Sequence, residues 1–97
     1  MAKAYAVVCY HSVSDEAALK AYAKLAAPVM EAAGGRALAR GMPAKTYESG
    51  LEQRTLVVEF PSMAEAIAAH ESPAYKAALE ALGDGAKRDV RLVEGID

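Results

Sequence analysis

Two short stretches of this chain are apolar on both alternating sets of positions, and that restricts its fold more than any other feature. Residues 3–11, KAYAVVCYH, and residues 54–60, RTLVVEF, have the length and the apolar run of β-strands. Successive side chains of a strand point to opposite sides. Tyr5, Val7 and Cys9 therefore share one face, with Ala6, Val8 and Tyr10 on the other. In the second stretch Leu56, Val58 and Phe60 oppose Thr55, Val57 and Glu59. A sheet with one wet face alternates cleanly between apolar and polar. These two strands instead ask for cover on both sides.

The elements around them give an order. Ser14 reads as an N-cap, with Asp15 and Glu16 in the favourable first turn of a helix. Leu19, Tyr22, Ala23, Ala26, Met30 and Ala33 recur at helical spacing as one apolar stripe. Pro28 inside that stripe predicts a kink or a break, and Gly34-Gly35 ends the helix. A strand follows at 36–40, interrupted by Gly41-Met42-Pro43, with a continuation expected over 44–48 and a turn at Ser49-Gly50. After the 54–60 strand come two short helices or one broken helix, 62–70 and 73–82. A Gly83-Asp84-Gly85 loop and a last strand at 89–94 complete the chain. The order is βαββαβ, which predicts an α+β domain of ferredoxin-like type with a four-stranded antiparallel sheet and helices on one face. Residues 1–97 are expected to form one domain. The strand order 4-1-3-2 makes the two apolar strands central. The helices cover one face only, so a second copy of the chain is the simplest cover for the other.

Charge and cysteine usage exclude several functions. Eleven basic and thirteen acidic residues give a net charge of -2, and no Lys/Arg run appears, so nucleic acid is not an expected partner. No apolar run reaches the ~18 residues of a membrane span, and the first residues, MAKAYAVVCYHS, lack the features of a signal peptide. A soluble, cytoplasmic protein is expected. The single cysteine, Cys9, rules out an intrachain disulfide and a cysteine-based zinc cluster.

The segment 59–75, EFPSMAEAIAAHESPAY, holds the side chains that look most chemical. Ser62-Met63-Ala64-Glu65 fits a capping box, and Ser72-Pro73 fits a cap followed by proline at the first helical position. No Gly-x-Ser-x-Gly elbow surrounds either serine, so both read as structural. Tyr75 shares a helix face with Ala78, Leu79 and Leu82 and reads as core. His70 follows Ile67 and Met63 on the apolar side of its helix. It is either a packed ring or the polar tip of a pocket, where a histidine can move protons near neutral pH. His11, at the end of the first strand, poses the same question. Two histidines without acidic or cysteine neighbours at ligand spacing do not make a metal site.

The run Gly34-Gly35-Arg36, then Arg40-Gly41, Glu48, Gly50 and Arg54, resembles the Domain of Unknown Function 1330 (DUF1330) family. So do Glu59-Phe60-Pro61-Ser62, Ser72-Pro73-Ala74-Tyr75 and the ending Val93-Glu94-Gly95. The resemblance spans nearly the whole chain. It implies a ferredoxin-like fold that pairs into a dimeric α/β barrel, in a superfamily that also holds small monooxygenases, muconolactone-type isomerases and haem-degrading enzymes. Many members resemble one another in a Trp-Tyr pair where this chain has Ala69-His70, so a ligand stacked on those aromatics does not carry over.

Two readings of function follow. One is an enzyme acting on a small organic molecule, by cofactor-free isomerase or monooxygenase-like chemistry, since no dinucleotide fingerprint or phosphate loop is present and no cofactor is expected. In the related families the pocket lies between helices and sheet. The candidates are His70, His11 and Arg40 for catalysis, and Tyr22, Glu48 and Arg54 for the ligand pocket. Arginines would hold a carboxylate or enolate through paired N–H donors. The plain alternative for each charge is a solvated strand end or an ion pair, such as Arg40 with Glu48 or Glu59. The second reading is a non-catalytic, ligand-binding or stress-related homodimeric module.

Overall fold

The computed structural model of the chain describes residues 2–96. Its elements run β1 (Ala4–Val13), α1 (Glu16–Ala32), β2 (Arg36–Gly41), β3 (Thr55–Phe60), α2 (Met63–His70), α3 (Pro73–Leu82) and β4 (Ala86–Glu94). The four strands form one antiparallel sheet in the order β2-β3-β1-β4, so β1 and β3 are central. This is the α+β, ferredoxin-like βαββαβ arrangement that the pattern of elements predicts.

Register decides which side chains meet the helices. Ala4 faces Phe60, Ala6 faces Val58 and Val8 faces Leu56 across the central pair. Of these, Ala4, Ala6, Val8, Val58 and Phe60 are buried, as is Tyr10 on the same face. Two clusters fill the space under the helices. Val8, Tyr10, Leu19, Tyr22, Ala26, Tyr75, Ala78 and Leu82 form one beneath α1 and α3. Ala4, Ala6, Val58, Phe60, Ala66 and Ala69 form the other beneath α2. Phe60 is wholly enclosed, and burying such a ring contributes roughly 1.5–3 kcal/mol.

Both serines of the 59–75 segment cap helices. Ser62 Oγ accepts from the Glu65 N–H and Ser72 Oγ from the Tyr75 N–H, each at 3.2 Å. Gly34 follows the end of α1 with φ 82°, the left-handed conformation that a Cβ would disfavour. Gly35 is needed for a different reason: a Cβ there would lie 2.7 Å from the Met30 carbonyl oxygen and 2.9 Å from Phe60 Cε1.

Four sequence expectations are corrected. Asp15, not Ser14, caps α1, because its carboxylate accepts from the Ala18 N–H at 3.1 Å, while Ser14 Oγ donates to the carbonyls of Asp84 and Gly85. Pro28 does not break or end α1, which runs without interruption from Glu16 to Ala32. Pro28 and Lys24 are both exposed, so the carbonyl that loses its N–H partner lies on the solvent side. Residues 44–48 do not extend β2; the connection to β3 is irregular, and Glu48 takes φ 53° in a turn closed by the Gly50 N–H on the Tyr47 carbonyl. Finally, β4 begins at Ala86 rather than residue 89, which brings Arg88 into the sheet opposite Tyr10.

Candidate functional site

A cavity of about 370 Å³ opens between α1 and the β2–β3 side of the sheet. Its cause is in the sequence. Ala23, Ala26 and Ala27 on α1 and Ala37 on β2 are too short to fill the space over Leu56 and Val58. Interiors normally leave few voids larger than a water, and this volume falls in the range of small-molecule pockets, roughly 300–1,000 Å³.

The polar groups of the wall are unevenly placed. Tyr10, Tyr22, Arg40 and Arg54 all belong to it, together with Glu31. Glu31 sits where α1 ends, next to Met30, whose carbonyl accepts from the Gly35 N–H. Arg40 is five residues further along β2 than Gly35, about 16 Å at the rise of a strand. The positive groups therefore gather at one end and the acid at the other. Arg54 lies 5.8 Å from the centre of the Tyr10 ring and 3.8 Å from Glu16 at a mostly exposed ion pair, which contributes little. Arg40 takes part in no ion pair among the described residues; Glu59, one expected partner, is held instead by Lys3 at 3.7 Å and Arg36 at 3.2 Å.

Behind the Tyr10 end lies a buried polar cluster. Tyr22 Oη and Tyr75 Oη are 2.7 Å apart, with their rings edge to face. Arg88 donates to Tyr75 Oη at 2.9 Å, and its guanidinium lies over the rings of Tyr22 at 4.5 Å and Tyr10 at 5.7 Å. Burial pushes the Tyr22 hydroxyl well above its ordinary pKa, and the bond to Tyr75 adds to this against the opposing Arg88 charge. Burial works against the Arg88 charge, but the two tyrosine hydroxyls outweigh it and its pKa is raised. Both shifts act the same way at this cluster: they keep the Tyr22 hydroxyl neutral and the Arg88 guanidinium charged.

Of the residues singled out in the sequence, the cavity wall brings together Tyr22, Arg40 and Arg54. His70, His11 and Glu48 lie elsewhere. The His70 ring packs 5.9 Å from Phe60 and 5.1 Å from Tyr75, and its Nδ1 is 2.8 Å from the Ala66 carbonyl. His11 stands at the far end of β1, with Nε2 2.8 Å from Asp89 Oδ2 and Nδ1 3.4 Å from Gln53 Nε2. Glu48 is exposed in its turn. Arg88 and Tyr10 were not singled out. The signal for Arg88 was present: alternation carried back from Leu92 and Val90 puts it on the helix-facing side, but a strand start at 89 hid it. No three His, Cys, Asp or Glu side chains gather as a metal site among the described residues, and no helix there is long and apolar enough to cross a membrane.

Known structures repeat the fold. The chain superposes on RPA0582, a protein of unknown function from Rhodopseudomonas palustris, with TM-score 0.78 at 15% identity over 99% of this chain and 84% of that one. It superposes on a candidate antibiotic biosynthesis monooxygenase from Caulobacter crescentus with TM-score 0.62 at 14% identity, over 99% and 92%. A conserved protein from Methanosarcina mazei gives 0.54 at 13% identity, over 96% and 93%. No curated protein matches. At these identities the likeness is one of fold. The sequence profile of the domain of unknown function DUF1330 matches residues 3–96. With glycines, caps and strand order all in place along that length, this chain belongs to the DUF1330 family.

Proposed function

We propose that this protein is a cytoplasmic homodimer whose subunits each hold a small organic anion with an apolar body in the α1–sheet cavity. One observation carries the reading: an apolar space of about 370 Å³ bears two arginines at the same end, one of them, Arg40, in no ion pair among the described residues. Apolar walls take the body of a ligand, and a guanidinium fork takes a carboxylate or enolate through charge-assisted bonds. Arg40 is the anchor, Arg54 supports it, and Tyr10 and Tyr22 supply aromatic wall.

The catalytic reading, cofactor-free isomerase or oxygenase-like chemistry, stands second. It is favoured by one group, the neutral Tyr22 hydroxyl at the wall. The name of the Caulobacter protein is compatible with it. His70 and His11 would have to act from outside the cavity wall, which weighs against histidine as the proton carrier.

A second copy of the chain is the proposed cover for the other face of the sheet. All three helices lie on the face of Ala4, Ala6 and Val8. Opposite them, Val7 pairs with Val57, and Tyr5 with the 52%-exposed Val93. The irregular segment between β2 and β3 adds the exposed Met42, Tyr47 and Leu51. Apolar surface of this kind is uncommon on a monomer.

The test is titration with aryl carboxylates of graded size, benzoate and 1-naphthoate, beside their carboxamides. The carboxylates should bind at least tenfold more tightly, the size of one charge-assisted hydrogen bond, and Arg40→Ala should remove the difference. Equal binding of the amides, or an Arg40→Ala variant with unchanged preference, would refute the anion site.

A further inference from the structure

We infer that Arg88, Tyr75 and Tyr22 form a one-way hydrogen-bond relay that leaves the Tyr22 hydroxyl proton free to donate into the cavity, to a phenolate or enolate oxygen of the ligand. The inference rests on the cavity being a ligand site and adds what its inner end recognises.

The argument is an inventory of protons. Two tyrosine hydroxyls bring two protons. Arg88 brings donors only, so Tyr75 Oη accepts from it at 2.9 Å. The 2.7 Å contact between Tyr22 and Tyr75 uses one hydroxyl proton, whichever way it points. The other proton has no acceptor among the described residues.

Two arrangements remain. If Tyr22 donates, Tyr75 Oη accepts twice and the Tyr75 proton is left over at a residue only 4% exposed that is not part of the cavity wall. A buried donor without an acceptor costs about 1–3 kcal/mol. If Tyr75 donates, the unused proton belongs to Tyr22, itself only 8% exposed but part of the cavity wall, where a ligand oxygen can accept it. This arrangement also runs head to tail, and donation from a cation to Tyr75 Oη makes the Tyr75 O–H a better donor in turn. The second arrangement wins on both counts.

The consequence is chemical. A neutral O–H backed by a fixed positive charge stabilises negative charge developing on an oxygen in front of it, as preorganised donors do in oxyanion sites. Burial keeps Tyr22 protonated and so a donor. The ligand class is a flat, largely apolar molecule whose oxygen becomes or already is an oxyanion. Tyr75 and Arg88 are not themselves part of the wall; they touch its Tyr22 and Tyr10 from behind and act as positioning residues.

The test uses 4-nitrophenol, whose phenolate is told from the phenol by its absorbance, with 1-naphthoate as the control for the anion site. Wild-type protein should bind the phenolate in preference to the phenol, so that bound 4-nitrophenol ionises at lower pH than free. Tyr22→Phe, which keeps the aromatic ring of the wall, should weaken phenolate binding at least tenfold and reduce that pH shift, while the preference for 1-naphthoate over its carboxamide, read at Arg40, should persist. Tyr75→Phe should reduce the shift in the same direction with the Tyr22 hydroxyl still present, which a purely local role of Tyr22 does not predict. Arg88→Met, which removes the donor to Tyr75, should also reduce the shift; if that variant is poorly folded, Tyr75→Phe reads the same relay. A Tyr22→Phe variant that keeps the full pH shift overturns the relay, and so does a wild-type protein that binds 1-naphthoate through Arg40 but not 4-nitrophenol. Failure to bind either compound overturns the cavity reading together with the relay.

Discussion

Replacing Tyr75 with phenylalanine removes one oxygen from the interior and two hydrogen bonds with it. Tyr75 is 4% exposed, so water cannot take the place of the hydroxyl without opening the packing. The bond to Tyr22, between neutral groups, contributes about 1 kcal/mol, and the bond from Arg88, a charged donor, about 1.5–3 kcal/mol. The Arg88 guanidinium keeps its positions over Tyr22 and Tyr10, which limits the loss. About 3 kcal/mol is expected, a large part of the 5–15 kcal/mol that holds a domain folded. With a urea m-value of about 1.5 kcal/mol/M, the midpoint should fall by about 2 M. Tyr22→Phe loses the neutral bond and leaves the buried Tyr75 O–H without its acceptor, and should cost about 1–3 kcal/mol. The assay is urea unfolding followed by circular dichroism. All variants must be compared at one protein concentration, because dissociation of the proposed dimer would couple to unfolding. A Tyr75→Phe midpoint within 0.5 M of wild type (roughly 0.7 kcal/mol at that m-value), or a Tyr22→Phe variant hit harder than Tyr75→Phe, would refute the bonding pattern assigned to this cluster.

Two further perturbations test the framework around the site. Ser62→Ala and Ser72→Ala should each lower stability by about 1 kcal/mol, since each oxygen accepts from a first-turn N–H; a discovered activity lost from either variant at full stability would contradict the capping role. Gly35→Ala places a methyl group against the Met30 carbonyl and the Phe60 ring, and should cost about 1–3 kcal/mol in the same unfolding assay; a neutral result would mean that the turn from α1 into β2 is looser than described.

Much of the fold was legible because it is written locally. The alternation in residues 3–11 and 54–60 located the central strands, Gly34 marked the end of α1, and Ser62 and Ser72 marked the starts of α2 and α3. The misreadings were also local, and each came from a competition the sequence does not show. Ser14 and Asp15 both have capping side chains, and only the approach of the Gly85 carbonyl, which draws the Ser14 hydroxyl away, decides for Asp15. Pro28 is a breaker by type, yet it sits on the exposed side of a helix that tertiary packing holds through it.

The site was less legible because it is made of absences and distant pairings. Tyr22 and Tyr75 are 53 positions apart, and nothing in either neighbourhood announces the other. The cavity exists because alanines at 23, 26, 27 and 37 converge on the same space, which requires the packing of α1 over β2 and β3 to be known first. His70, the most suggestive side chain in the sequence, was legible in type but not in direction, and its ring packs between Phe60 and Tyr75.

The proposed assembly is a sheet with helices on one side and a second copy of the chain on the other. Sedimentation equilibrium at micromolar concentration measures that directly. The mass should be that of a dimer, twice 10.2 kDa, held by an interface of at least the ~1,200–2,000 Å² that stable complexes bury. A single species of 10.2 kDa, folded and stable, would contradict it.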